Sequence, residues 1–212
     1  MAVSSLNKFT VPLSSEQGTS QGLLMPKLAY RFRVTFDNFG VAGAPSTEMT
    51  KQVVKCGRPK VTFDDIILNV YNSKVKLAGK PTWDELSITI RDDVSSSASI
   101  LVGNQLQKQF DFFEQSSAAS GIDYKFSMNV DILDGGNGAF TPTTFESFQL
   151  LGCYIKKADY KDVDYGATGD STPLEITLSI QYDNALQYGA GGAPSGVGQA
   201  IGRTVRTLAV GG

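Results

Sequence analysis

Apolar and polar residues alternate through most of the middle of the chain, the period-two pattern of strands with one buried face. Across 28–36, Leu28, Tyr30, Phe32, Val34 and Phe36 share one face, and Ala29, Arg31, Arg33 and Thr35 the other. Leu86, Ile88 and Ile90 oppose Ser87, Thr89 and Arg91. Across 124–132, Tyr124, Phe126, Met128, Val130 and Ile132 oppose Lys125, Ser127, Asn129 and Asp131. Across 174–183, Leu174, Ile176, Leu178, Ile180 and Tyr182 oppose Glu175, Thr177, Ser179, Gln181 and Asp183. Weaker patterns at 50–56, 61–71, 74–78 and 146–156 predict further strands. Phe63–Lys80 reads as two β arms joined near Asn72–Ser73, a fair turn pair, and so predicts a long hairpin.

One segment departs from this period. Val102, Leu106, Phe110 and Phe113 recur at helical spacing and predict a helix over 97–118, with Ser97 or Ser99 as its cap and Gly121 just past its end. One amphipathic helix among antiparallel strands predicts a mainly β (α+β) domain, with the helix over an open face or mouth of the sheet. Residues 1–25 are rich in Ser, Gln and Gly and predict an extended arm; 185–212 contain the Gly-rich run Gly189–Gly202 and predict a flexible tail. The folded domain is expected over 26–184.

The chain has 212 residues, 41% hydrophobic and 19% charged, enough for one core with tails. Net charge is −2, without the basic surplus expected of a protein that grips phosphates. There is no histidine, which removes Ser-His-Asp and Cys-His nucleophile systems and histidine metal sites. Cys56 and Cys153 form no CxxC pair; part-buried thiols and a disulfide formed in an oxidising medium are both open readings. The start of the chain lacks the pattern of a signal peptide, no apolar run reaches the roughly 20 residues of a membrane span, and cytoplasmic synthesis is expected.

Several motifs invite chemistry that their context does not support. Gly192 through Gly202 resembles a dinucleotide fingerprint, but polar and Gly-rich residues precede it where that chemistry needs a strand. Asp159, Asp162 and Asp164, like Asp131 and Asp134, lack the fixed spacing and closing Glu of a calcium loop and read as turns. In Asp64-Asp65 and Asp92-Asp93, neighbouring strand residues point to opposite faces, so neither pair can cooperate; they read as strand ends or exposed edges. Trp83, the only tryptophan, reads as a core or interface anchor. No residue stands out as catalytic, and neither a cofactor nor a metal is expected.

Four blocks, in order, carry a family resemblance. They are Tyr30-Arg31-Phe32-Arg33-Val34-Thr35-Phe36; the run from Val75-Lys76-Leu77-Ala78-Gly79 through Trp83-Asp84-Glu85-Leu86 to Asp92-Asp93; Phe110-Asp111-Phe112-Phe113-Glu114; and Leu151-Gly152-Cys153-Tyr154-Ile155 followed by Leu174 to Tyr182. The set resembles the tail tube protein of contractile-tailed, T4-like bacteriophages. The resemblance covers most of 28–184 and neither terminal arm.

That resemblance implies an antiparallel β-barrel or sandwich with one flanking helix and a long protruding hairpin. It implies a virion protein whose hexameric rings stack into the inner tail tube, a conduit for DNA ejection within a contractile sheath. The implied partners are further copies of the chain, the sheath protein, the tape measure protein and the baseplate and terminator proteins. DNA passes without specific binding, and no membrane is involved. The lumen-facing candidates are Ser87, Thr89, Glu175, Thr177, Ser179 and Gln181, small or mostly neutral side chains that would not hold phosphates. The hairpin candidates for contacts between subunits and rings are Ile66, Ile67, Leu68, Val70, Tyr71, Val75 and Leu77. Arg31 and Arg33 fit a lumen only if paired, with Glu175 or Asp183 as candidate partners, or if their face lies elsewhere. The rival readings are a tube component of another contractile injection machine (baseplate initiator, bacteriocin or type VI secretion tube) and a soluble β-sandwich binding module.

Overall fold

The computed structural model describes residues 26–40, 47–136, 142–163, 173–190 and 192–199. The chain divides into two units, Met1–Arg31 and Phe32–Gly212. In the first, the Arg31 N–H donates to Leu28 O (3.2 Å) across a turn, and the Arg31 guanidinium lies 5.5 Å from the Tyr30 ring centroid. The arm expected over 1–25 lies outside the described residues.

In the second unit the elements are β1 (Phe32–Asp37), α1 (Thr47–Gln52), β2 (Val53–Cys56), β3 (Val61–Val70), β4 (Ser73–Trp83), β5 (Leu86–Arg91), α2 (Ser97–Gln109), β6 (Phe110–Asp111), β7 (Ser116–Ser117), α3 (Gly121–Tyr124), β8 (Phe126–Leu133), β9 (Thr144–Tyr160), β10 (Glu175–Gln181) and β11 (Asn184–Gly189). Every described ladder is antiparallel. The main sheet runs β1-β8-β9-β10-β5-β2, with β11 also on β9.

The 17-residue strand β9 organises this sheet. Its first part pairs with β8 on one edge and β11 on the other, and its last part, Tyr154–Tyr160, pairs with β10. The fold is therefore two half-sheets, β1-β8-β9-β11 and β9-β10-β5-β2, that share one strand. The change of direction falls at Gly152, whose φ is +68°. A Cβ there would collide with the Asp183 carboxylate, so glycine is required both by the backbone and by the close approach. The inner faces of both half-sheets join in one core: Val34, Phe36, Met128, Val130, Phe148 and Leu150 from the first, and Leu86, Ile88, Ile90, Ile176, Leu178 and Ile180 from the second. These are the apolar faces legible in the alternation, and the architecture is mainly β with a flanking helix.

The boundaries differ in instructive ways. The first strand starts at Phe32 rather than 28, because its ladder begins at Phe32↔Ile132 and β8 ends one residue beyond, so earlier alternation has nothing to pair with. Tyr30 is 72% exposed. Residues 47–52 are helical where a strand was expected from 50, and Met49 is buried in the core. The long helix ends at Gln109, not 118. Asp111 Oδ1 accepts the N–H groups of Phe113 (2.9 Å) and Glu114 (3.1 Å), a local turn that outcompetes helix, and Phe110 joins the β6–β7 pair. Neither Ser97 nor Ser99 caps α2. Asp93 accepts the Ser97 N–H (2.8 Å) and Asp92 the Ser99 N–H (3.4 Å), which gives that acidic pair a capping role. The Ser95 hydroxyl also donates to Asp93 (2.7 Å), and this bond with those from Ser97 holds the Asp93 carboxyl below its ordinary range. Gly121 opens α3 rather than following a helix, behind a capping box made by Ser120 and Asp123.

The buried stripe of α2 is Ala98, Val102 and Gln105. Gln105 is fully buried; it accepts the Gly40 N–H (3.0 Å) and donates to Tyr124 O (2.6 Å). The boundary expected at 184/185 falls inside a strand, since β11 pairs with β9 from Asn184↔Leu151 to Gly189↔Glu146. Residues 200–212 of the expected tail lie outside the described residues.

Candidate assembly surfaces

Three surfaces bear on assembly: the β3–β4 hairpin, the polar faces of the half-sheets, and the strand edges.

The hairpin turns at Tyr71–Asn72, one residue before the expected pair, with Tyr71 in left-handed backbone (φ 40°). Its register decides which side chains share a face. Ile66↔Leu77, Leu68↔Val75 and Val70↔Ser73 put five aliphatic side chains together, while Asp65↔Ala78, Ile67↔Lys76 and Asn69↔Lys74 form the opposite face. Ile67 therefore stands apart from the other aliphatic candidates, on the face where Lys76 Nζ meets Asp65 (3.2 Å). Almost every hairpin side chain is exposed: Ile66, Leu68, Val70, Val75 and Leu77 all lie between 44% and 52%. Each makes its contacts along the hairpin and leaves its outer half in water.

A bulge at Gly79 and Lys80, opposite Asp64, bends the hairpin. A Cβ on Gly79 would stand 2.8 Å from Asp64 O, so this crossing also requires glycine. At the base, Trp83 packs against the core with its ring 5.7 Å from that of Tyr182. Gln181 Nε2 donates to Trp83 O (3.0 Å), and the Lys60 N–H donates to the Tyr182 hydroxyl (3.3 Å). Burial raises the Tyr182 phenol above its ordinary value. A long amphipathic arm is thus anchored by the half-buried Trp83 against the buried Tyr182.

The six lumen-facing candidates do share one face. Register aligns Ser87 with Ser179, Thr89 with Thr177 and Arg91 with Glu175, and Gln181 continues the row along β10. Their neighbours make the face more basic than those six residues alone. Lys55 lies opposite Thr89, Lys157 opposite Ser179 and Asp159 opposite Thr177. Lys157 pairs with Asp159 (2.8 Å), which raises the lysine above its ordinary pKa, and Lys161 lies 3.9 Å from Glu175.

Arg33 lies on the other half-sheet. Its partner is Asp131 (2.8 Å), not Glu175 or Asp183, because Arg33 and Asp131 face each other directly across the β1–β8 ladder. Ser147 Oγ donates to the same carboxylate (2.6 Å). Asp131 and Ser147, with Asn129, Gln149 and Tyr188, line a concavity of about 490 Å³. Asp183 instead takes Lys125 Nζ (2.6 Å), a bond that raises the Lys125 pKa.

Several strand edges are closed by the chain itself. Gln109 at the end of α2 donates to Ile155 O and accepts the Ile155 N–H, both at 2.9 Å, sealing β9 just past the start of β8 at Phe126. Asn184 Oδ1 accepts the Ala185 N–H (2.9 Å). Residues 193–197 lie along the rest of β11. Arg58 reaches Glu146 (3.3 Å), which also accepts from Gln187 Nε2 (2.6 Å), tying the segment before the arm to this end of the sheet. Sequence reasoning found none of these glutamines and asparagines. The spacing of Gln105 and Gln109, four apart on the helix face that carries Val102, was the available signal.

Cys56 and Cys153 are free thiols, and burial pushes both up to about 12. No group of acidic residues and cysteines suited to a metal ion occurs among the described residues. Asp164 of one acidic cluster lies outside them.

No known protein family and no curated protein matches the sequence. Solved structures do match. A chain of the anti-feeding prophage tube-terminating cap is 12% identical, with a TM-score of 0.60 over 83% of this chain and 99% of that one. A chain of the PVC extracellular contractile injection system, from the sheath–tube complex in the extended state, is 11% identical, with a TM-score of 0.56 over 79% and 95%. A chain of the six-fold symmetrised anti-feeding prophage baseplate is 14% identical, with a TM-score of 0.55 over 79% and 98%. At these identities the likeness shows a shared fold, that of chains from contractile injection assemblies.

Proposed function

We propose that this chain is a non-enzymatic tube subunit, and that its copies close into hexameric rings which stack into the inner tube of a contractile tail. The observation that carries the reading is the β3–β4 arm: five aliphatic side chains on one face, half in water, on a hairpin anchored at its base. A lone soluble domain gains nothing from such a face, whereas a stacked assembly covers it with the next copy. The fold shared with contractile injection assemblies supports the same reading.

In this reading the Ser87–Thr89–Thr177–Ser179 face lines the lumen, and the sheath, tape measure, baseplate and terminator proteins are the outer and end partners. The tube would serve in a virion tail as a conduit for DNA. A specific observation favours a second reading, a tube of another contractile injection machine with a cargo other than DNA. The candidate lumen face carries Lys55, Arg91, Lys157 and Lys161 against Glu175 and Asp159, a basic surplus that retains phosphates in a salt-dependent way.

Negative-stain microscopy of concentrated protein tests the proposal. Hollow filaments of stacked rings are expected. A protein that stays monomeric at every concentration contradicts it. Duplex DNA retained by the filaments at low salt and released at high salt favours the second reading over the first.

A further inference from the structure

The outward edge of β11 is occupied by the chain's own continuation. The Gln187 N–H donates to Val197 O (2.7 Å), the Ser195 N–H donates to Gln187 O (2.9 Å), and the Gly189 N–H donates to Ala193 O (3.1 Å). Tyr188 and Pro194 form the matching antiparallel bridge. Residues 193–197 thus act as a short extra strand, a strap across the outer edge of β11.

The strap lies on the edge rather than in the core. Pro194, Ser195 and Gly196 are exposed, and Val197 is 44% exposed. It pairs with the backbone of Gln187 and Gly189, and its Val197 N–H also reaches Gln187 Oε1 (3.4 Å). It also reverses direction abruptly, with the Gly192 N–H donating to Gly189 O (3.2 Å) only a few residues after β11 ends.

We propose that in the assembled protein the strap is exchanged, so that residues 193–197 of one copy seat on the β11 edge of a neighbouring copy. The occupant is already identified, because a segment that pairs within its own chain makes the same hydrogen bonds to the same edge of an identical chain. Opening the reversal breaks the Gly192–Gly189 hydrogen bond, a modest cost beside the strap pairing regained on the neighbour. Asn184 Oδ1 already accepts the Ala185 N–H, which leaves the strap's positions as the stretch of this edge paired by another strand. The proposal rests on the tube reading in one respect: stacked copies supply the high local concentration that makes exchange competitive with pairing in the same chain.

A disulfide can report which chain supplies the strap. A Cβ on Gly189 would stand 3.2 Å from the Ser195 Cβ, a few tenths of an ångström inside the usual disulfide separation of about 3.5–4.5 Å. The variant carries Gly189→Cys and Ser195→Cys. It is oxidised once as dilute subunit and once after assembly, then run on a non-reducing denaturing gel. Monomer mobility is expected from the dilute sample, and a ladder of covalently linked chains from the assembled one. The parent protein and the two single variants, treated alike, should show no ladder.

Filaments that yield only monomer overturn the exchange and leave the tube reading standing. A ladder from concentrated protein that forms no filaments supports the exchange and ends the tube reading. Should the double variant fail to fold, a chain ended after Ala190, which keeps β11, is compared with one ended after Gln199, which keeps the strap. Exchange predicts that assemblies of the shorter chain fall apart at about 100-fold higher protein concentration, the loss of one tethered contact. Equal dissociation of the two overturns it.

Discussion

Leu68→Ser separates the role of the arm in assembly from its role in the fold. Leu68 is 47% exposed in the lone subunit and sits at the centre of the aliphatic face, opposite Val75. Fully burying a leucine is worth about 2–3 kcal/mol, so docking against a neighbour can still gain roughly half, about 1–1.5 kcal/mol. Serine forfeits that gain and places a hydroxyl without a partner in the contact, at a further cost of about 1–3 kcal/mol. The sum, roughly 2–4 kcal/mol per contact, raises the concentration needed for assembly about 30- to 1,000-fold. The subunit itself should lose about 1–1.5 kcal/mol, the half of its burial that Leu68 already has in the lone chain. Light scattering across a dilution series reads the first quantity and urea unfolding the second. Ile67→Ser is the internal control: it lies on the opposite face, and its assembly threshold should move far less. Equal shifts for the two variants, or an unchanged threshold for Leu68→Ser, would refute the argument.

Gly152→Ala should destabilise the subunit by at least about 1–2 kcal/mol in urea unfolding, the cost of left-handed backbone, with the Asp183 carboxylate displaced besides. A neutral result would show that β9 changes direction some other way. Gln105→Leu keeps the volume but strands the Gly40 N–H and the Tyr124 carbonyl; a loss of about 2–4 kcal/mol is expected in the same assay, and near-neutrality would mean that those groups find other partners. Cys56 and Cys153, raised from 9.0 to about 12, should react with a thiol reagent at pH 8 about a thousandfold more slowly than free cysteine until the protein is unfolded. Rapid reaction of either thiol in the native protein would contradict its burial.

Much of the strand framework was legible because one face of each strand is buried and the other is not. Val34 and Phe36, Leu86 to Ile90, and Ile176 to Ile180 show their burial directly in the alternation. The arm was legible for a different reason: aliphatic residues on both sides of a turn pair. Hydrophobicity alone grouped Ile67 with Ile66 and Leu68, whereas the period-two alternation of β3 turns it to the opposite face. The helix was over-extended because Phe110 and Phe113 continue its apolar period, while the Asp111 turn that ends it leaves no hydrophobic trace. β11 escaped notice because Gln187 and the Gly-rich residues after it look like a tail. Its stability comes from backbone pairing with β9 and from polar contacts such as Gln187 to Glu146, which composition does not report. Of the lumen candidates, the shared face followed from period-two spacing. The lysines that join it come from β2 and β9, whose register was not visible in the sequence.

The aliphatic face of Ile66, Leu68, Val70, Val75 and Leu77 must be completed by another copy if this chain builds tubes. Amide hydrogen exchange over Val61–Trp83, measured on dilute subunit and on concentrated protein under one set of conditions, reads that directly. The account predicts fast exchange on the arm in the dilute sample and strong protection in the concentrated one, while the core strands β5 and β10 change little. Particles that form while the arm continues to exchange as it does in the free subunit would contradict it.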